Sequence, residues 1–239
     1  MQDIKASDRP TGGSVAPALA GLLDGYRRFR SGVYQEREQV YRRLAEAGQA
    51  PKVMVIGCAD SRADPALIFD AGPGELFVVR NVANLVPPFE LAGHRHGTSS
   101  ALEFAVNSLH VETILVLGHG RCGGIQAFMQ SLHEPEAGGQ FIGKWMSILE
   151  AARAEVLKDY ADAPEAERML AMERAAVGAS LDNLMSFDFV REAVAAGRLS
   201  LQGGWFDISE GVLYLRDPGS GAFRPLPDAA AAATGDGDG

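Results

Sequence analysis

Three short apolar runs, each followed by a helix-like stretch, constrain this chain most. They are KVMVIGC (52–58), ELFVVRN (75–81) and TILVLGH (113–119). A continuous apolar run bounded by turn residues suits a strand buried on both faces, as in the interior of a parallel sheet. After the first run, DPALIFDAG reads as a short helix with Pro65 in its first turn. TSSALEFAVNSLH (98–110) reads as a second helix, with Ser and Thr available to cap its start, and GGIQAFMQSL opens another. This alternation predicts an α/β fold with a mainly parallel central β-sheet flanked by helices. A helical region from about 141 to 196 follows, and then LSLQGGWFDISEGVLYLRD, which reads as two strands joined by a tight turn at Glu210-Gly211. Upstream, LAGLLDGYRRFRSGVYQEREQVYRRLAEAG repeats apolar residues every three or four positions. It predicts an N-terminal helical arm broken near Ser31-Gly32.

The same patterning predicts one domain over residues 17–225 of the 239. Residues 1–16 are polar and carry Gly and Pro, and read as a mobile arm. Residues 226–239, ending in AAAAATGDGDG, are of low complexity with nothing to bury, and read as a disordered tail. A net charge of −9 argues against nucleic acid or an anionic membrane surface as partner, because phosphates attract basic patches. No apolar run approaches the roughly 18 residues of a membrane span. The opening MQDIKASDRPTGGSVAP lacks a basic segment followed by an apolar one, so a cytoplasmic protein is expected.

Open parallel sheets carry their sites at the carboxyl ends of the strands. Cys58 closes the first run and His119 the third, and Cys122 follows three residues later in GHGRCGG. A single free cysteine is commonly no more than a small buried residue. Here both cysteines of the chain and one histidine fall at strand tips. Two thiolates and one imidazole suit Zn²⁺, and three protein ligands leave a fourth position open, as catalytic sites do. The stretch GHRHG tempts toward a second metal site. Its histidines, His94 and His96, read as exposed groups able to ferry protons. His110 and His133 receive no role.

CADSR followed by GHGRCGG resembles the β-class carbonic anhydrases, whose signature is CxDSR and then HxxC about sixty residues on. The likeness extends through GQAPKVMVIG, PGELFVVRNVAN and GTSSALEFAVNSL, and weakly through LQGGWFDISEGVLYLRD, covering roughly residues 20–217. It implies one zinc per chain on Cys58, His119 and Cys122, with water or hydroxide as fourth ligand. Hydroxide would attack CO₂ and give bicarbonate, and the water that replaces it would lose a proton to regenerate the hydroxide. Two thiolates cancel the metal's charge, so activity is expected to rise into the alkaline range. Asp60 would orient the hydroxide, and Arg62 would grip the Asp60 carboxylate through a bidentate pair and keep it off the metal. Gln49 would reach a substrate oxygen from a partner subunit. Phe77, Val82 and Phe104 would line an apolar CO₂ pocket, although each taken singly reads as ordinary core. Gly123 would offer its backbone N–H to bicarbonate. The family builds its site across a dimer interface, which implies a homodimer or a dimer of dimers.

Bicarbonate-inhibited members carry a Trp three residues before the first zinc cysteine. Val55 stands there in this chain. Three readings stay open: carbonic anhydrase; an enzyme of the same fold acting on a CO₂ analogue such as carbonyl sulfide or carbon disulfide; and a non-catalytic, zinc-stabilised binding protein. The intact Asp60–Arg62 pair argues against the last.

Overall fold

A computed structural model describes residues 16–91, 96–131, 139 and 141–227. The chain forms two compact units, 1–49 and 50–239. The sequence expectations for residues 1–15, 228–239, His94 and His133 lie outside the described residues.

In the first unit, α1 (Pro17–Ser31), α2 (Val33–Glu36) and α3 (Glu38–Ala47) follow one another with no buried residue. Proline starts α1, where its missing N–H has no helical partner to lose, and Arg28 and Arg30 occupy the last turn. The chain breaks at Gly32, where the sequence predicts it. Phe29, Tyr34 and Tyr41 tie the three helices together, with ring centroids 5.2–6.0 Å apart.

The second unit is built on a six-stranded sheet: β1 (Val53–Cys58), β2 (Leu76–Asn81), β3 (Thr113–His119), β4 (Ser200–Asp207), β5 (Val212–Arg216) and β6 (Phe223–Pro225). Its order is β2-β1-β3-β4-β5-β6. The first four strands in that order run parallel, and β5 and β6 add antiparallel hairpins at one edge. The three apolar runs thus become adjacent parallel strands, with β1 in the middle. Its residues Met54, Val55 and Ile56 are fully buried, as the unbroken run predicts. Helices α4 (Pro65–Ile68), α5 (Gly97–Glu103), α6 (Gly123–Gln130), α7 (Ile142–Met146), α8 (Glu150–Asp159), α9 (Glu165–Leu184) and α10 (Asp188–Ala195) connect and flank the strands.

Two clusters fill the interior. One joins Met54, Ile56, Ile114 and Val116 of the sheet to Leu102 and Val106 and to Val177 and Leu184 of α9. The other surrounds the strand tips, joining Cys58 and Cys122 to Ile125, Phe128, Leu149 and Met172. Each such aliphatic side chain contributes about 1.5–3 kcal/mol on burial, so the second cluster makes a firm floor for the loops above it.

Two local expectations need correction. Thr98, Ser99 and Ser100 do not cap α5; its N-cap is His96, with no side-chain hydrogen bond. The helix also widens into a π-helical stretch at Phe104–Ser108 before ending at His110, whose φ is 54°. The turn at Glu210-Gly211 forms as predicted, with Gly211 at φ 70°. The short β6 was not anticipated: three residues with a proline give no alternation to read, and proline tolerates only an edge position.

Candidate metal centre

Register brings the three candidate ligands together. β1 lies between β2 and β3, so Cys58 leaves its strand beside Asn81, while His119 leaves β3 beside Phe206 of β4. Cys122 then sits immediately before α6, as its N-cap. The Cys58 and Cys122 sulfurs are 4.0 Å apart. Their sulfurs and a ring nitrogen of His119 all lie within 4.8 Å of one another. All three residues are at most 5% exposed.

The surroundings suit a cation. His119 Nδ1 lies 2.9 Å from the Gly120 carbonyl, so the proton belongs on Nδ1 and a lone pair on Nε2. Nε2 is buried with no hydrogen-bond partner among the described residues. A buried acceptor without a partner is costly, and a metal ion satisfies it. The two sulfurs stand close enough for a thiol on one to donate to a thiolate on the other. A hydrogen bond from Cys122 holds the Cys58 thiol well below its usual pKa against the opposing effect of burial, with His119 and the amides of Asp60 and Ala83 adding to it. The same pairing, and then burial, pushes Cys122 up, while the amides of Ile125 and Gly124 favour its thiolate. A divalent cation displaces such a proton, since thiolates are the ligating form. The donor set therefore fits zinc.

Backbone strain helps to present these amides. Ala83 adopts φ 63° and Asn84 φ 51°, and neither is glycine. Left-handed conformations at such residues cost of order 1 kcal/mol each. Asn81 holds the turn in place: its side chain donates to Leu85 O at 2.8 Å and accepts from Leu85 N at 2.9 Å. The Ala83 amide at this turn favours the Cys58 thiolate.

Asp60 and Arg62 form the expected fork. Arg62 Nε donates to Oδ1 at 2.9 Å and Nη2 to Oδ2 at 2.7 Å. The Arg62 amide adds a third bond to Oδ1 at 2.9 Å. These bonds from Arg62 hold the Asp60 carboxyl far below the usual carboxylate range. Asp60 Oδ2 stands 4.0 Å from His119 Nε2. Arg62 Nη2 also donates to Arg121 O at 3.1 Å, which links the CADSR loop to the GHGRCGG loop.

The other site candidates are more dispersed. Phe77 and Phe104 meet each other, with ring centroids 5.9 Å apart. Phe77 lies opposite Met54, four positions before Cys58, or about 13 Å down the strand. Within one chain these rings therefore stand well back from the ligands. Val82 is 38% exposed, and its carbonyl accepts from Trp145 Nε1 at 2.8 Å. Gly123 opens α6, and a Cβ placed there would meet nothing within 4 Å, so its backbone is accessible. Gln49 is exposed at the end of the first unit.

Two supporting residues carry more than the sequence reading gives them: RNVAN (80–84) reads only as a wall of the site with no chemistry of its own, and Glu173 has no reading at all. Arg80, within RNVAN, donates to Cys58 O at 2.9 Å, to Asp60 O at 2.6 Å and to Asp64 Oδ2 at 2.6 Å. Its place at a strand end, two residues before a turn, is the only signal the sequence offers. Glu173, on α9, is 5% exposed and accepts from Cys122 N at 3.1 Å and from Trp205 Nε1 at 3.2 Å. Burial pushes its carboxyl up, and these donors act against that. A glutamate in an amphipathic helix gives no hint of such a position.

Comparison with known proteins agrees with this geometry. A family model described as carbonic anhydrase matches residues 53–213. Beta carbonic anhydrase 3 of Arabidopsis thaliana is 36% identical over 200 residues, covering 83% of this chain and 76% of that protein. Beta carbonic anhydrase 5, chloroplastic, of the same plant is 40% identical over 180 residues, covering 75% of this chain and 58% of that protein. The solved structure of the β-carbonic anhydrase CcaA superimposes with a TM-score of 0.80 at 28% identity, covering 90% of this chain and 94% of that one. With its fold, its Cys58–His119–Cys122 cluster and these relatives in agreement, the chain belongs to the β-carbonic anhydrase family.

Proposed function

We propose that this protein catalyses the reversible hydration of CO₂ to bicarbonate and a proton, using one zinc ion held by Cys58, His119 and Cys122. The observation that carries this reading is the buried His119 Nε2, without a hydrogen-bond partner among the described residues, grouped with two thiols, and the Arg62-clamped Asp60 only 4.0 Å away. When bound, zinc supplies Lewis acidity that makes hydroxide available near neutral pH.

The chain's own residues supply the rest. Asp60 keeps one carboxylate face toward the ligand cluster and accepts a hydrogen bond from the attacking oxygen, which fixes the direction of its lone pair. Arg62 occupies both Asp60 oxygens and denies the carboxylate to the metal. The Gly123 N–H meets an oxygen of the forming bicarbonate, in open space at the start of α6. Val82 serves as apolar CO₂ lining within the chain, while Phe77 and Phe104, set back from the ligands of their own chain, serve it from a partner subunit, from which Gln49 also reaches a substrate oxygen. That role for Gln49 requires an oligomer, a homodimer or a dimer of dimers. The wholly unburied α1–α3, with Leu22 70% and Tyr26 58% exposed, offers apolar surface for it.

The reading treats 17–225 as one α/β domain and assigns the protein to the cytoplasm, where two free, buried cysteines stay reduced. Among the described residues no helix is long and apolar enough to cross a membrane. Stopped-flow hydration of CO₂ by the zinc-loaded chain, with carbonyl sulfide and carbon disulfide as rival substrates, tests the activity. The expected result is rapid CO₂ hydration that rises into the alkaline range. Turnover of a rival in preference to CO₂ would replace the reading with that of a same-fold hydrolase.

A further inference from the structure

The loop that spaces His119 from Cys122 is held by a carboxyl group from a distant helix. Arg121, within that loop, adopts φ 55°. Successive amides around a left-handed residue form a concavity that attracts an anion. Here the Cys122 N–H donates to Glu173 Oε1 at 3.1 Å. Oε2 accepts the Trp205 indole N–H at 3.2 Å. The indole in turn packs under the loop: a Cβ at Gly120 would stand 3.1 Å from Trp205 Cζ2, and one at Gly118 3.6 Å from Cδ1. Arg174, the next residue of α9, lies over the same ring at 4.9 Å from its centroid. Among the described residues, both side-chain hydrogen bonds of Glu173 thus lead to the metal loop or to the ring beneath it.

We propose that Glu173 is the positioning residue of the metal loop, fixing Cys122 relative to His119 through the Cys122 amide and the Trp205 indole. The proposal rests on the zinc reading of Cys58, His119 and Cys122. Outer partners that orient a ligand typically account for about 10–100-fold in metal affinity. A glutamine at 173 keeps the shape, but it turns an NH₂ donor toward an N–H donor and so loses one of the two bonds. Trp205→Phe removes only the indole donor while leaving an aromatic ring under Gly120.

The experiment follows zinc release from the full-length protein into a chromogenic chelator, together with the visible spectrum of the Co²⁺-loaded form. Circular dichroism checks the fold. Glu173→Gln is expected to release zinc at least about tenfold faster than the wild type and to shift the cobalt–thiolate bands. Trp205→Phe is expected to do the same more weakly. If Glu173→Gln fails to fold, Trp205→Phe decides alone. A lowered Tm with unchanged zinc release and an unchanged cobalt spectrum would make Glu173 a fold residue only and overturn the proposal. Failure of the hydration reading looks different: the wild type then keeps its zinc and does not turn over CO₂.

Discussion

The two strand tips that meet at the metal centre are built in opposite ways. At the β1 tip, chemistry and support lie close together in the chain. Cys58, Asp60 and Arg62 fall within five residues, and Arg80 of the adjacent strand ties down the Cys58 and Asp60 carbonyls. At the β3 tip, His119 and Cys122 are close in sequence, but their support comes from Glu173 on α9 and Trp205 on β4. The first tip is the more open, with the Arg62 side chain 48% exposed, whereas His119, Cys122 and Glu173 are all buried. A reacting group needs access, whereas a ligand pair needs rigidity, and the fold divides these demands between its two loops.

The sharpest way to break this comparison is to remove a ligand at the rigid tip. Cys122→Ala should lower zinc from about one per chain to near zero, since two remaining protein ligands hold the ion poorly. Activity should vanish with the metal. Inductively coupled plasma mass spectrometry on the purified variant checks this, and full metal content with full activity would remove Cys122 from the site.

At the open tip the corresponding change should separate chemistry from metal binding. Arg62→Ala should cost at least about 100-fold in CO₂ hydration, the lower range for loss of a positioned acid–base group, while zinc content stays near one. The same variant has a pH signature. Because Arg62 depresses the Asp60 pKa, the pair contributes stability above the ordinary aspartate value of about 4 and loses it as pH falls below that value. The stability gap between wild type and Arg62→Ala should therefore be open at pH 7 and close in strong acid, as read by urea unfolding.

A smaller effect sharpens the contrast in support. Arg80→Met keeps an unbranched apolar stem but leaves two carbonyls and Asp64 without their donor. Bonds from a charged donor contribute about 1.5–3 kcal/mol, so a loss of about 2 kcal/mol in unfolding free energy is expected. Zinc release should change less than in Glu173→Gln, since Arg80 leaves the β3 tip untouched.

The smallest effect concerns Val55. It is fully buried on β1, in register between Val78 and Leu115. Valine offers no N–H to an anion, and a buried, poorly paired anion costs several kcal/mol. Hydration rates should therefore show no cooperative loss as bicarbonate is added. A sigmoidal decline would show that another group takes the place of the indole.

How much of this was legible follows from the same comparison. The runs 52–58, 75–81 and 113–119 became β1, β2 and β3 because unbroken apolar stretches flanked by turn residues have few other homes. The metal motif was legible because soft ligands at strand tips are scarce. Asp60 and Arg62 were legible because they neighbour a ligand in sequence. Glu173 was not, because its role depends on the packing of α9 under the loop after β3, which no local pattern encodes. The strained turn at Ala83 was equally hidden, since alanine carries no left-handed preference to announce it. The helix cap failed for a related reason: Thr98, Ser99 and Ser100 suit an N-cap, but the helix already starts at Gly97, with His96 as its N-cap.

The central claim is that the two tips jointly hold one zinc while Arg62 keeps Asp60 off it. A crystal structure of the zinc-loaded protein at pH 8, with anomalous data at the zinc edge, tests this most directly. The account predicts one anomalous peak per chain, bonded to Cys58, His119 and Cys122, with Asp60 still forked to Arg62. Asp60 bound to the metal with Arg62 turned away, or zinc at any other set of residues, would contradict it.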